Sequence, residues 1–199
     1  MSGEATPADP ADRTGARRAR LLGLVRELAV SYGDFTLASG RKSRYYLDGR
    51  LVTLHPEGAY LIARSILDII AGERIEAKAI GGLTLGADPI AGAVAAVSHL
   101  HGPPLSAFIV RKEAKAHGTG RRVEGALKHG DEVVVVDDVV TTAGSTLQAI
   151  RAVEEIGCKV AAVVCLVDRE EGGAEALKGY RFYPLFKVTE LVEDKASRA

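Results

Sequence analysis

The 199-residue chain predicts an α/β domain: a five-stranded, mainly parallel sheet flanked by helices, with a small N-terminal hood. Three observations carry this expectation. Short apolar runs near 77–81, 105–110, 133–137, 160–167 and 181–186 alternate with segments of helical apolar spacing. The run Val133–Val136 is continuously β-branched, as a strand buried on both faces requires. Two of the strands end in loops rich in glycine or hydroxyl residues, and each loop leads into a helix.

Composition bounds the function. Hydrophobic residues make up 47% of the chain, charged residues 26%, and the formal net charge is zero. That balance favours neither nucleic acid nor a membrane as a partner. No apolar run is long enough to span a bilayer, and no signal-peptide pattern stands at the start. Cys158 and Cys165 lack metal-ligand spacing and read as buried thiols, so the expected location is the reducing cytoplasm.

In chain order, residues 1–16 lack periodicity and read as a disordered tail, leaving 17–199 as a single domain. Its hood spans about 17–50 and its core about 56–199. Arg17, Arg18 and Arg20 read as a solvated helix start; Leu21, Leu24, Val25 and Leu28 continue the helix towards Gly33. Phe35–Leu37 and Tyr45–Leu47 flank the polar turn Ser39–Ser43, which predicts a hairpin. Tyr45 and Tyr46 offer flat faces there, and Arg41, Lys42 and Arg44 offer charge. Pro56 opens a helix that Gly72 ends. After the strand near 77–81 comes Gly81–Ala87, with Asp88-Pro89 expected to cap and start the next helix. His99 and His101 read as surface residues.

Residues 111–125 are nearly free of apolar side chains and contain Gly118, Gly120 and Gly125. They concentrate cations at Arg111, Lys112, Lys115, His117, Arg121 and Arg122. A loop of this length and charge suits a mobile lid over a polyanion. Downstream, the 133–137 strand ends in Asp137 and Asp138, and Thr141, Thr142, Ala143, Gly144, Ser145 and Thr146 follow. Hydroxyls, free N–H groups and a helix start suit a phosphate, whereas the carboxylates suit sugar hydroxyls or a divalent cation. The pair reads as a sugar-phosphate site. Leu147–Ile156 forms the next helix; Asp168 and Arg169 end the 160–167 strand, and Arg169 is expected to pair with Asp168.

The segment Asp137–Ser145 resembles the phosphoribosyl pyrophosphate (PRPP) motif of type I phosphoribosyltransferases. Ser39-Gly-Arg-Lys-Ser43 resembles the Ser-Gly-x-x-Ser segment of the orotate phosphoribosyltransferases, and Arg111, Lys112, Lys115, His117 and Gly118 stand in the pattern of their catalytic loop. The resemblance spans nearly the whole chain after the tail. It implies the type I fold and transfer of phosphoribose from PRPP to orotate, with orotidine 5′-monophosphate and pyrophosphate as products. It implies catalytic roles for Lys115, His117, Asp137 and Asp138. PRPP would meet Arg111, Lys112, Lys115, His117, Asp137, Asp138, Val139, Val140, Thr141, Thr142, Ala143, Gly144 and Ser145. Orotate would meet Thr141 and Arg169. Mg²⁺ is expected mainly through PRPP or pyrophosphate, and a homodimer is expected to share the lid across subunits. Two departures stand out: Ala143 replaces the usual glycine, and Ala38 replaces a lysine common before the Ser-Gly. A phosphoribosyltransferase for another base would keep the PRPP motif but need not have this lid, and a non-catalytic PRPP-sensing regulator would keep the phosphate loop and lose the lid.

Overall fold

A computed structural model describes residues 10–36, 40, 42–113 and 122–192. A helix with its terminal turn and a two-stranded hairpin make the hood. Helix α1 (Pro10–Leu24) runs into a π-helical turn (Val25–Ala29), then strands β1 (Val30–Thr36) and β2 (Lys42–Leu47) pair antiparallel. α1 begins inside the stretch expected as a tail, because Pro10 suits a first turn and Ala11 and Ala16 favour helix. The helical run also stops before Gly33. Val30 and Tyr32 favour strand, and Gly33 lies where the β1–β2 register shifts, between Tyr32 and Phe35. The three N-terminal arginines are not merely solvated. Arg17 pairs with Asp68, Arg18 with Glu190, and Arg20 makes a two-pronged pair with Glu57 at 2.7 and 2.6 Å, lacing the hood to the core.

The core follows as α2 (Arg50–Thr53), α3 (Pro56–Gly72), β3 (Ala79–Leu83), α4 (Ala87–His101), β4 (Ser106–Val110) and β5 (Val123–Glu124). Then come β6 (Glu132–Val140), α5 (Gly144–Glu155), β7 (Lys159–Asp168), α6 (Gly173–Ala176), β8 (Phe182–Lys187) and α7 (Val188–Leu191). Among the described residues the sheet order is β5-β4-β3-β6-β7-β8. The five expected strands are all parallel neighbours. The sixth, β5, is a two-residue antiparallel edge at the C-terminal root of the expected lid. It is too short, and too charged in its surroundings, to announce itself by periodicity.

Alternation along β6 divides the core. Val134 and Val136 face a cluster with Ile62, Ile66, Ile80, Ile90 and Leu166; Val133 and Val135 face Phe108, Ala149, Ile150 and Val153. Both faces of β6 are therefore covered, and its apolar run is explained. Pro56 stands at the first position of α3, and the His55 Nδ1 accepts from the Gly58 N–H at 3.3 Å. At α4 the expected cap moves: Gly86 takes the cap position and Asp88 lies in the first turn without capping it. His99 and His101 are exposed, in the last turn of α4.

Gly81 is where β3 and β4 press closest. A Cβ there would lie 2.0 Å from the Phe108 carbonyl oxygen and 2.7 Å from its Cγ, so backbone must shift. Gly81→Ala should lower unfolding free energy by about 3 kcal/mol, the upper end of overpacking effects, in urea denaturation followed by circular dichroism.

The chain order places β3 and β4 to one side and β6 to β8 to the other. The reversal falls between β3 and β6, and the crevice above their carboxyl ends is where such sheets take ligands.

Candidate active site

That crevice holds a cavity of about 310 Å³. Its walls come from the end of β2 and the start of α2 (Tyr46–Arg50), the loop after β3 (Leu83–Gly86), Lys112, the end of β6 (Asp137–Val139) and Ser145. The two loops read from the sequence as anion-binding thus meet at one place, although 50-odd residues separate them.

The acid pair forms the floor. Asp137 is 6% exposed. Its Oδ2 accepts from the Thr146 hydroxyl at 3.1 Å, and its Oδ1 accepts from the Asp138 N–H at 3.1 Å. Asp138 Oδ1 accepts from the Val139 N–H at 2.9 Å. Thr146, counted from sequence among the loop's phosphate donors, is buried and committed to Asp137 instead. Burial and the adjacent Asp138 charge push the Asp137 carboxyl up to about 7; burial also raises Asp138. The pair resists carrying two negative charges unless a cation or hydrogen-bond donors arrive. Gly86 leaves room for them: a Cβ there would stand 2.4 Å from Asp138 Oδ1 and 2.8 Å from Asp137 Oδ1. The Thr84–Leu85 peptide beside it is cis.

Above the acids, Thr141–Ser145 curls into the start of α5. Thr142, Gly144 and Ser145 are exposed, and the first turn of α5 presents N–H groups that a helix leaves unpaired. Ala143 adopts φ 63°, ψ 14°, the left-handed region where glycine is favoured, which accounts for the usual glycine at that position. Its methyl is buried in the core beside α5, and that burial offsets part of the backbone strain.

Arg169 does not pair with Asp168. Its Nη2 lies 3.0 Å from Glu171 Oε1, and its guanidinium sits 5.7 Å from the Tyr45 ring centre, so the hood strand β2 and the end of β7 meet through it. Asp168 instead accepts from the Glu170 N–H at 2.9 Å. Arg111 is engaged with Glu124 at 3.0 Å, and Gln148 Nε2 donates to the Lys112 carbonyl at 3.1 Å, fastening the root of the lid to α5. Lys115, His117, Arg121, Ala38 and Arg41 lie outside the described residues. The sequence reading missed Asp48 and Arg50 on the cavity wall. An Asp-Gly step after an aromatic strand was a visible turn signal, but nothing local connected it to Asp138.

Residues 52–193 match the Phosphoribosyl transferase domain. The orotate phosphoribosyltransferase of Aquifex aeolicus is 44% identical over 180 residues, 88% of this chain and 97% of that protein. The chain belongs to the orotate phosphoribosyltransferases. Solved members of the family share its fold. The Mycobacterium tuberculosis H37Rv orotate phosphoribosyltransferase in complex with PRPP superposes with a TM-score of 0.75 at 40% identity, covering 88% of this chain and 98% of that one. The orotate phosphoribosyltransferase of Aeropyrum pernix gives 0.68 at 30% identity, over 86% and 96%. Among the described residues, no group of three or more His, Cys, Asp or Glu side chains could hold a metal by themselves, and no helix is long and apolar enough to cross a membrane.

Proposed function

We propose that this orotate phosphoribosyltransferase uses the β3–β6 crevice to transfer phosphoribose from PRPP to orotate, releasing pyrophosphate. One observation carries the reading: the buried acid pair and the α5 start adjoin within a single cavity. Hydroxyl and N–H donors at Thr141, Thr142, Gly144 and Ser145 suit the 5′-phosphate, and Asp137 and Asp138 suit the ribose hydroxyls. Val139, Val140 and Ala143 shape the backbone between them. The C1–oxygen bond to pyrophosphate breaks as the orotate nitrogen bonds C1, and the proton that this nitrogen loses goes to solvent or to the departing pyrophosphate. Positive charge grows on the sugar and negative charge on the leaving group. Asp137 and Asp138 face the first. Lys112, with Arg111, Lys115 and His117 of the lid, supplies cations for the second, and His117 is suited to hand pyrophosphate a proton. Arg111 must leave Glu124 to take part. No covalent nucleophile is required.

Orotate is a flat anion, and Tyr45 with Arg169 offers it a face and a charge beside Thr141. The acid pair and a substrate rich in hard oxygen donors together fit Mg²⁺, with PRPP and pyrophosphate providing most ligands and Asp137 or Asp138 the protein's share. The ion would neutralise pyrophosphate as it departs. The working form in this reading is a homodimer in the cytoplasm, each lid serving the partner's crevice. Purified protein should deplete orotate absorbance only when PRPP and Mg²⁺ are both present, and should leave adenine, hypoxanthine and uracil untouched. Turnover of a purine instead, or PRPP binding with no turnover of any base, would reject the assignment.

A further inference from the structure

We infer that Arg50, aimed by Asp48, is the fixed cation that takes the pyrophosphate arm of PRPP in the open site, before the lid contributes. This rests on the proposed reading of the crevice. Two cations line the cavity among the described residues: Lys112, at the root of the lid, and Arg50, on the wall formed by the start of α2. Arg50 is held from both sides. Its Nε donates to Asp48 Oδ1 at 2.8 Å, its Nη2 to Asp48 Oδ2 at 2.9 Å, and its backbone N–H to Asp48 Oδ1 at 3.1 Å. The Asp48 N–H in turn donates to the Ala29 carbonyl at 3.0 Å, anchoring the segment to the hood. Between them Gly49 lies flat on the acid strand, where a Cβ would meet Asp138 Cβ and Val139 Cγ2 at 3.1 Å.

A guanidinium has five N–H donors, and Asp48 takes two of them. The other three serve no partner among the described residues, and the side chain is half exposed at the cavity wall. A planar cation with its fork fixed in advance loses little freedom on meeting a phosphate, which a flexible lysine would not match. Its charge also opposes the upward shift of Asp138, so it sits within electrostatic reach of the floor. The loop after β3 brings Thr84, Leu85 and Gly86 to the same cavity without side-chain charge, and the Thr84 N–H is already donated to the Val110 carbonyl at 2.9 Å. Arg50 complements it with the charge that a diphosphate needs. The chemical class is a sugar-linked diphosphate, and its pyrophosphate end, not its sugar phosphate, is the part recognised.

Calorimetric titration with PRPP, inorganic pyrophosphate and ribose 5-phosphate, each with Mg²⁺, tests this. Arg50→Ala should weaken PRPP and pyrophosphate by about 10- to 100-fold and leave ribose 5-phosphate unchanged. Arg50→Lys should recover part of that loss. Asp48→Asn keeps the charge but frees it, and should raise the KM for PRPP several-fold with the KM for orotate unmoved. Equal weakening of all three ligands would make the residue a structural support, and no weakening would remove it from the site; either result overturns the inference. Wild-type protein that fails to bind PRPP at all would instead sink the crevice reading on which both depend.

Discussion

Lys115→Ala should lower kcat by about 10²- to 10³-fold, the loss typical when one preorganised cation or donor at developing charge is removed. The thermal midpoint should stay at the wild-type value, because Lys115 is a charged residue in a loop whose contact with the core clusters, among the described residues, comes from Val123 at its far end. The KM for orotate should hardly change, since Lys115 is assigned to the leaving pyrophosphate and not to the base. Full wild-type turnover in this variant would take the lid out of the mechanism. The same variant tests whose crevice the lid serves. Mixed with an Asp137→Ala/Asp138→Ala chain, it should, in the proposed homodimer, form hybrids in which one crevice has intact acids and can receive an intact lid from its neighbour. Activity should reappear on mixing if lids cross between subunits, up to a quarter to a half of wild type. Two inactive parents that stay inactive after exchange would assign each lid to its own crevice.

Features repeated along the chain were legible in the sequence; features made by distant contacts were not. The five parallel strands followed from apolar runs, because a strand covered on both faces needs nothing but apolar residues, as Val133–Val136 shows. The acid pair and the hydroxyl turn were legible for a related reason: strand, loop and helix start are contiguous, so one stretch contains the whole local geometry. Arg50 was not legible. Its importance comes from Gly49 lying against Asp138, 89 positions further on, and no periodicity encodes that approach. Arg169 shows the same limit from the other side. Asp168 is its neighbour in sequence, yet the strand pleat sends consecutive side chains to opposite faces, and Glu171 across the following turn becomes the partner. Thr146 was misassigned because a helix turns by a fixed angle per residue: one step past Ser145, the hydroxyl points inward to Asp137 and not to the cavity. Asp88 looked like a cap by residue type, but the turn at Gly86 starts α4 two residues earlier.

Asp137→Asn should stabilise the protein most at pH 8, less at pH 5, and not at all below about pH 4. In the folded chain Asp137 holds its proton up to about pH 7, against an ordinary value of 3.8. Between those values the folded state binds more protons at this group than the unfolded state, so the contribution of Asp137 to stability is greatest below about pH 4, falls as pH rises to about 7, and is level above. The cause is burial first and the Asp138 charge second, and both penalise the ionised form. Asparagine keeps the shape: its one oxygen can accept from the Asp138 N–H while its amide donates to the Thr146 hydroxyl, and it has no charge to bury. Raising the carboxyl from 3.8 to about 7 corresponds to on the order of 4 kcal/mol, which bounds the gain and moves the midpoint of a chain this size by up to about 10 °C. Thermal midpoints of both proteins at pH 5, 6, 7 and 8 measure it, and parallel curves would show that Asp137 carries no such penalty. The stabilised variant should also be a poor enzyme. A site that accepts instability to keep two acids together releases it when substrate hydroxyls and a divalent cation arrive, so binding of PRPP with Mg²⁺ to the wild type should release protons near pH 7, and Asp137→Asn should abolish most of that release.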